Sequence, residues 1–292
     1  MLPNSDIAVR APVEPLRESA PLAWAMAPKL CLGDPAAPDV CVWYHRVWQY
    51  LRLLEIITSI RTNSDFLITT LARVASDHPR VLICGSADYG MLAHVKHAYG
   101  TVPLDVTVLD QCPTSLYLNR WYADRFAFGI ETVCASALEY SSERPFDVIC
   151  THNFVGRFDE GCRRQLFARW HELLRPGGIV VTTQRVRSDE GRSSRTAQDA
   201  RALSERVIAA AAASSETLGL DLSELQSAVY EYAVRQGDHS IRGPREITDL
   251  LESEGFAINQ CDEGDAAERK YDRPRYPFGA ASYRMRLIAS RR

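Results

Sequence analysis

Arg80-Val81-Leu82-Ile83-Cys84-Gly85-Ser86-Ala87-Asp88-Tyr89-Gly90 leads into a helical segment and then into Leu104-Asp105-Val106-Thr107-Val108-Leu109-Asp110. Val81 to Cys84 is a short apolar run with β-branched residues, stopped by Gly85, and reads as a buried strand. Gly85 to Gly90 is a turn of small residues, and Met91 to Tyr99 places apolar residues at helical spacing. A second apolar strand, Val106 to Leu109, ends on the carboxylate of Asp110. Strand, tight turn, helix, strand and terminal acid form the arrangement that holds a nucleoside, with the acid accepting hydrogen bonds from ribose hydroxyls.

A dinucleotide site calls for three spaced glycines, so that a pyrophosphate can approach the helix N-terminus. Here Gly85 and Gly90 flank Asp88, an acid that repels phosphate but tolerates an ammonium or a sulfonium. The turn therefore favours S-adenosylmethionine over NAD.

Downstream, Gln111 to Phe128 reads as a helix opened by Pro113, and Glu131 to Ala135 as a third strand followed by Ser136 and Ala137. Phe146 to Thr151 is a fourth strand, apolar almost throughout, as burial on both faces requires. Asp159 to Leu174 is an amphipathic helix ended by Pro176-Gly177-Gly178, and Ile179 to Thr183 is a fifth strand. Five alternations predict a mainly parallel sheet with helices on both faces. Ligands of such sheets sit at the carboxyl ends of the strands, where Gly85, Asp110, Ser136 and Asn153 all fall.

Upstream, residues 1–20 are read as a flexible arm that either stays free or closes as a lid. Pro21, Pro28, Pro35 and Pro38 leave room for at most a short helix around Trp24. In the segment Val40 to Leu71, Trp43, Val47, Tyr50, Leu51, Leu54 and Ile57 recur at helical steps, with His45, Arg46, Gln49, Arg52 and Glu55 on the other side. A break at Asn63-Ser64-Asp65 starts another helix through Phe66, Ile68, Leu71 and Val74. Trp43 and Tyr50 suit either core packing or a pocket. Tyr44 and Trp48, one turn apart and off the main stripe, are the candidates to face a ligand, where a ring face attracts a sulfonium by about 0.5–2 kcal/mol.

Beyond the fifth strand, Ser188 to Ser194 is a charged loop, followed by helices over Ala197 to Ala213 and Leu218 to Tyr232. This insertion (188–243) either joins the N-terminal helices (21–78) in a cap over the core (79–187) or forms the surface of a homodimer. Residues 244–292 complete the core: a helix from Arg245 to Glu254 ends at Gly255, and strands over Phe256 to Cys261 and Tyr283 to Ala289 flank a loop with Pro274 and Pro277.

The 292 residues, 46% hydrophobic and 24% charged, are ordinary for a globular chain. A net charge of −3 offers no footprint for nucleic acid, no apolar run is long enough to span a bilayer, and no signal-peptide core argues for export. Eight cysteines without a Cys-x-x-Cys pair are expected to be reduced thiols of a cytosolic (cytoplasmic) protein, with no metal site. Cys84, Cys134 and Cys150 fall in predicted strands, where cysteine acts as a small apolar residue.

With these elements in place, the chain resembles the class I S-adenosylmethionine-dependent methyltransferases. Ile83 to Tyr89 corresponds to their glycine-rich first motif, Asp110 to their ribose-binding acid, Ala135-Ser136-Ala137 to their adenine-flanking loop and Phe146 to Asn153 to their fourth strand. Leu173-Leu174-Arg175-Pro176-Gly177-Gly178-Ile179-Val180-Val181 looks like their turn into strand five. Ile83 stands where many members carry an acid, and Ala87 and Tyr89 replace two glycines. The resemblance implies a Rossmann-like methyltransferase fold, a seven-stranded, mainly parallel sheet under a helical cap. It also implies that S-adenosylmethionine is held by Gly85, Ser86, Ala87, Asp110, Gln111, Ser136, Ala137 and Asn153. Candidate catalytic residues are Tyr44, Trp48, Asn153 and His152, the last being either a base or a strand-end histidine held by hydrogen bonds. Methyl transfer to a small molecule is the first expectation. The layout is also similar to that of azetidine-2-carboxylate synthases, in which the α-amine of S-adenosylmethionine displaces its own sulfur. A catalytically inactive binding protein is a third alternative, which the presence of Asp110 disfavours.

Overall fold

The computed structural model describes residues 11–31, 41–57, 60–74, 76–187, 196–214, 218–237, 239, 241–264 and 282–292. The first part of the expected arm, the loop at 188–194 and the segment with Pro274 and Pro277 lie outside the described residues. Seven strands, β1 (Arg80–Cys84), β2 (Asp105–Asp110), β3 (Glu131–Cys134), β4 (Phe146–His152), β5 (Leu174–Arg187), β6 (Phe256–Glu263) and β7 (Ser282–Arg291), form one sheet. Their order is β3-β2-β1-β4-β5-β7-β6. The first five are parallel, and β7 runs antiparallel between β5 and β6. This is the mainly parallel Rossmann-like sheet that the alternation of elements predicts.

Strand periodicity explains how β1 seats helices on both sides. Val81 and Ile83 join a core with Phe66, Leu67, Leu92 and Val95, while Leu82 and Cys84 join another with Leu166, Phe167 and Trp170. The helices over the first face are α3 (Ser64–Leu71), α4 (Gly90–Tyr99) and α5 (Pro113–Arg125); α6 (Glu160–Leu173) and α9 (Pro244–Ser253) cover the second. Asp159 caps α6 by accepting from the Cys162 amide at 2.9 Å. Pro176-Gly177-Gly178 does not itself end this helix. β5 already starts at Leu174, paired with Phe146, and the glycines lie in an irregularity within the strand. A Cβ on Gly178 would stand 2.9 Å from the Arg175 carbonyl oxygen and 3.1 Å from that of Phe146. Cys84 and Cys150 are buried as expected, but Cys134 is exposed because β3 is an edge strand.

A third core belongs to the cap. α1 (Leu16–Leu30), α2 (Val42–Leu53), α7 (Ala197–Ala213) and α8 (Leu222–Arg235) meet through Ala20, Val47, Leu51, Val207, Val229 and Tyr232. α7 and α8 thus pack against α1 and α2. Two expectations fail here. Residues 16–20, assigned to the arm, are helical, and α1 continues through Pro21 and Pro28. Each proline costs about 3 kcal/mol in a helix interior, but both rings are exposed, while Ala20, Ala23 and Ala27 are fully buried. This small-residue stripe lets α1 lie close against its neighbours, and packing outweighs local propensity. On the polar side of α2, His45, Gln49 and Arg52 are buried, because α2 lies between the rest of the cap and the carboxyl edge of the sheet.

Candidate functional site

The carboxyl ends of β1, β2, β4 and β5 face α2 and α8 across a cavity of about 580 Å³, within the range of small-molecule sites. Gly85, leaving β1 with φ +74°, donates its N–H to the Leu109 carbonyl at 2.9 Å. A Cβ there would fall 2.1 Å from the Phe154 ring, so both conformation and space require glycine. The next amide, of Ser86, donates to Asp110 Oδ2 at 2.7 Å, and the Cys112 amide donates to Oδ1 at 2.7 Å. Burial raises the Asp110 pKa, and these two amides oppose the rise. Two amides leave a carboxylate further lone pairs, on a residue that lines the cavity beside Ser86, Ala87 and Gln111.

Asp88 differs from its expected role. Its carboxylate accepts from Arg52 Nη1 at 2.5 Å, Trp48 Nε1 at 3.1 Å and the Gly90 amide at 2.8 Å. Arg52 also pairs with Glu14, and the side chains of all three residues are at most 5% exposed. The acid is neutralised from the cap and fixes the start of α4, so it does not present a bare negative charge to a ligand.

At the end of β4, Asn153 has φ +52°, a left-handed conformation that asparagine tolerates better than most residues. Its backbone N–H donates to the Thr183 carbonyl at 2.8 Å. With the amide oriented as in this structure, Nδ2 lies 3.2 Å from His152 Nε2, while Oδ1 is buried in the cavity wall without a partner. His152 Nδ1 lies 2.5 Å from Thr183 Oγ1. Burial, with help from Arg284, His94 and Arg52, holds the His152 pKa well below its ordinary value. The imidazole is neutral near pH 7, and both of its nitrogens are engaged by side chains.

The roof is aromatic. Tyr44 and Trp48 stack with centroids 5.0 Å apart and planes at 22°, and Tyr232 lies 5.8 Å from Tyr44. Trp43 joins them on the cavity wall, whereas Tyr50 is core, its hydroxyl donating to the Leu218 carbonyl at 3.0 Å. The Arg157 guanidinium stands 5.3 Å from the Tyr44 centroid, so one ring already carries a cation.

The structure brings Tyr44, Trp48, Gly85, Ser86, Ala87, Asp110, Gln111, His152 and Asn153 to one cavity. Ser136 and Ala137 are not among its lining residues. Ser136 closes a turn by accepting from the Glu139 and Tyr140 amides, and Ala137 is buried in the core that holds Leu166 and Trp170. Residues that sequence reading missed are Arg52, His45, Cys41, Cys112, Arg157 and Tyr232. The first two carried a signal, as polar residues on a helix otherwise rich in aromatic and aliphatic side chains.

No family model and no curated protein matches the chain. Solved structures do. Geranyl diphosphate methyltransferase in complex with S-adenosylmethionine aligns at 11% identity and a TM-score of 0.52 over 90% of this chain and 94% of that one. An S-adenosylmethionine-dependent methyltransferase from Clostridium acetobutylicum aligns at 10% and 0.52 over 83% and 96%. The [4+2]-cyclase SpnF aligns at 13% and 0.51 over 97% and 98%. At this identity the likeness shows the fold, the Rossmann-like fold of S-adenosylmethionine-dependent methyltransferases.

Proposed function

We propose that this chain is an enzyme that binds S-adenosylmethionine and acts on a small molecule, with methyl transfer as the first reading. The observation that carries the proposal is the pairing of the Gly85 turn with the Asp110 carboxylate below an aromatic roof. The residues present suit the cofactor. Asp110 keeps acceptor capacity for two ribose hydroxyls, Gly85 keeps the turn narrow, and Asn153 Oδ1 is a buried acceptor without a partner. Gln111 lies beside Asp110 on the same wall. Bound there, S-adenosylmethionine would supply an electrophilic carbon on a positively charged sulfur. The chain's part is to orient, to exclude water and to stabilise that charge: Trp48 and Tyr44 line the roof, where an aromatic ring attracts a sulfonium, and alignment alone supplies up to about 7–11 kcal/mol.

A second reading, cyclisation of the aminobutyryl arm by its own α-amine, is favoured by the state of His152. Both ring nitrogens are engaged and its basicity is depressed, which suits a nucleophile that arrives neutral. Incubating the protein with S-adenosylmethionine, with and without added amines, alcohols and thiols, separates the readings. Adenosylhomocysteine that forms only with an acceptor supports methyl transfer. Methylthioadenosine with a four-membered amino acid, formed without an acceptor, supports the cyclase. Absence of binding contradicts both, and binding without turnover points to an inactive partner protein. A cytoplasmic setting and a homodimer fit this reading; among the described residues no helix is long and apolar enough to cross a membrane.

A further inference from the structure

Three cysteines and a histidine from separate parts of the chain converge where the cap meets the core. Cys112 Sγ lies 3.4 Å from Cys41 Sγ and 3.6 Å from Cys31 Sγ. His45 Nδ1 lies 3.3 Å from Cys112 Sγ and 3.6 Å from Cys31 Sγ. All four atoms fall within 4.8 Å of one another. A tetrahedral zinc ion with bonds of about 2.3 Å to sulfur and about 2.0 Å to nitrogen sets its ligands about 3.5–3.8 Å apart. The four separations above lie within about 0.4 Å of that shell, and the other two are no longer than 4.8 Å. They are too long for disulfides, and a disulfide would use two thiols and leave the third, with the imidazole, unexplained.

We propose that Cys31, Cys41, His45 and Cys112 form a structural zinc site that clasps the helical cap to the turn carrying Asp110. Four protein ligands complete the coordination shell, which distinguishes a structural site from a catalytic one with an open position. Three thiolates and an imidazole select zinc over hard cations. Each ligand sits at a joint of the fold. Cys31 is the C-cap of α1, Cys41 is the N-cap of α2 with His45 one turn further on, and Cys112 is the N-cap of α5. The Cys112 amide donates to Asp110 Oδ1, so the clasp fixes the loop that shapes the floor of the cavity. Thr114 Oγ1, 3.1 Å from Cys31 Sγ, is placed to donate a hydrogen bond to that thiolate, as outer groups of zinc sites do. The site also accounts for a buried imidazole on the polar side of α2. It stands whether or not S-adenosylmethionine is the ligand of the cavity.

The test uses the full chain, expressed with zinc in the medium and purified under reducing conditions. Elemental analysis is expected to find about one zinc per chain, and X-ray absorption at the zinc edge about three sulfurs at 2.3 Å and one nitrogen. Cys112→Ser and His45→Ala should each lower metal content about 10-fold or more. Should these variants not fold, the absorption spectrum of the unaltered protein still decides. Reduced protein that takes up no zinc from an equimolar salt overturns the proposal. So does a disulfide among the three cysteines, or zinc in a shell of oxygen and nitrogen alone.

Discussion

Asp110 spends one acceptor site of each oxygen on a backbone amide, from Ser86 and from Cys112, which aims the carboxylate and leaves the rest for a ligand. Replacing it by alanine removes charge-assisted hydrogen bonds of about 1.5–3 kcal/mol, so affinity for S-adenosylmethionine should fall about 10- to 100-fold by calorimetry; equal affinity refutes the assignment. Asn153 gives a cleaner separation of fold from function. Its φ of +52° is unfavourable for an L-residue and free for glycine, so Asn153→Gly should preserve or raise the melting temperature, by up to about 1 kcal/mol in stability. Turnover should nevertheless drop as the unpartnered Oδ1 is lost; unchanged turnover makes the residue merely a turn former. His94 sets a pH dependence. It is fully buried between Ser64 Oγ and the Gly90 carbonyl, and burial lowers its pKa from 6.5 to about 4. A depressed folded-state pKa gives stability that is present above 6.5 and lost as pH falls towards 4, about 3 kcal/mol in all. Urea titrations over that window should show the loss, and His94→Gln should flatten it; an equal slope in the variant refutes the assignment.

At the scale of elements, α2 bears the most. One side packs into the cap through Val47 and Leu51, and the other sends Arg52 to Glu14 and Asp88 and His45 to the three cysteines. Arg52→Met removes the cation shared by two buried carboxylates and leaves Glu14 only Arg61, whose Nε lies 3.6 Å from Oε2. Glu14, whose pKa burial already raises against the pull of Arg52, would then take up a proton. The expected cost is about 3–5 kcal/mol in chemical denaturation; a loss below about 1 kcal/mol would show that the pairing contributes little. The strands of the parallel sheet were legible because burial on both faces makes each a short apolar run ended by a turn, as at Val81 to Gly85 and Phe146 to Thr151. α1 was not, because Pro21 and Pro28 argue locally against a helix that only contact with neighbouring helices justifies. The inward-facing polar side of α2 was equally hidden. Periodicity shows that a helix has two faces, but not that a cavity and a cluster of thiols await the polar one. The cysteine set escaped because its members are 10 and 71 residues apart along the chain and become neighbours only when α1, α2 and α5 meet.

Among the described residues, the sheet supplies the floor and two distant parts of the chain supply the roof, 11–31 with 41–57 and 196–214 with 218–237, meeting through Tyr50, Val207 and Tyr232. The cavity between them is therefore assembled by the tertiary fold rather than by a local motif. This explains why the β1–β2 unit could be read from sequence while Tyr232, Arg157 and Cys112 could not. It also explains why Ser136 and Ala137, assigned through the resemblance, sit apart: the turn after β3 packs inward on the core beside α6. The most direct measurement is a crystal structure of the chain with S-adenosylmethionine. Both ribose hydroxyls should lie within hydrogen-bond distance of Asp110, with the sulfonium against Tyr44 or Trp48. A ribose bound elsewhere, or an empty cavity at saturating ligand, would contradict it.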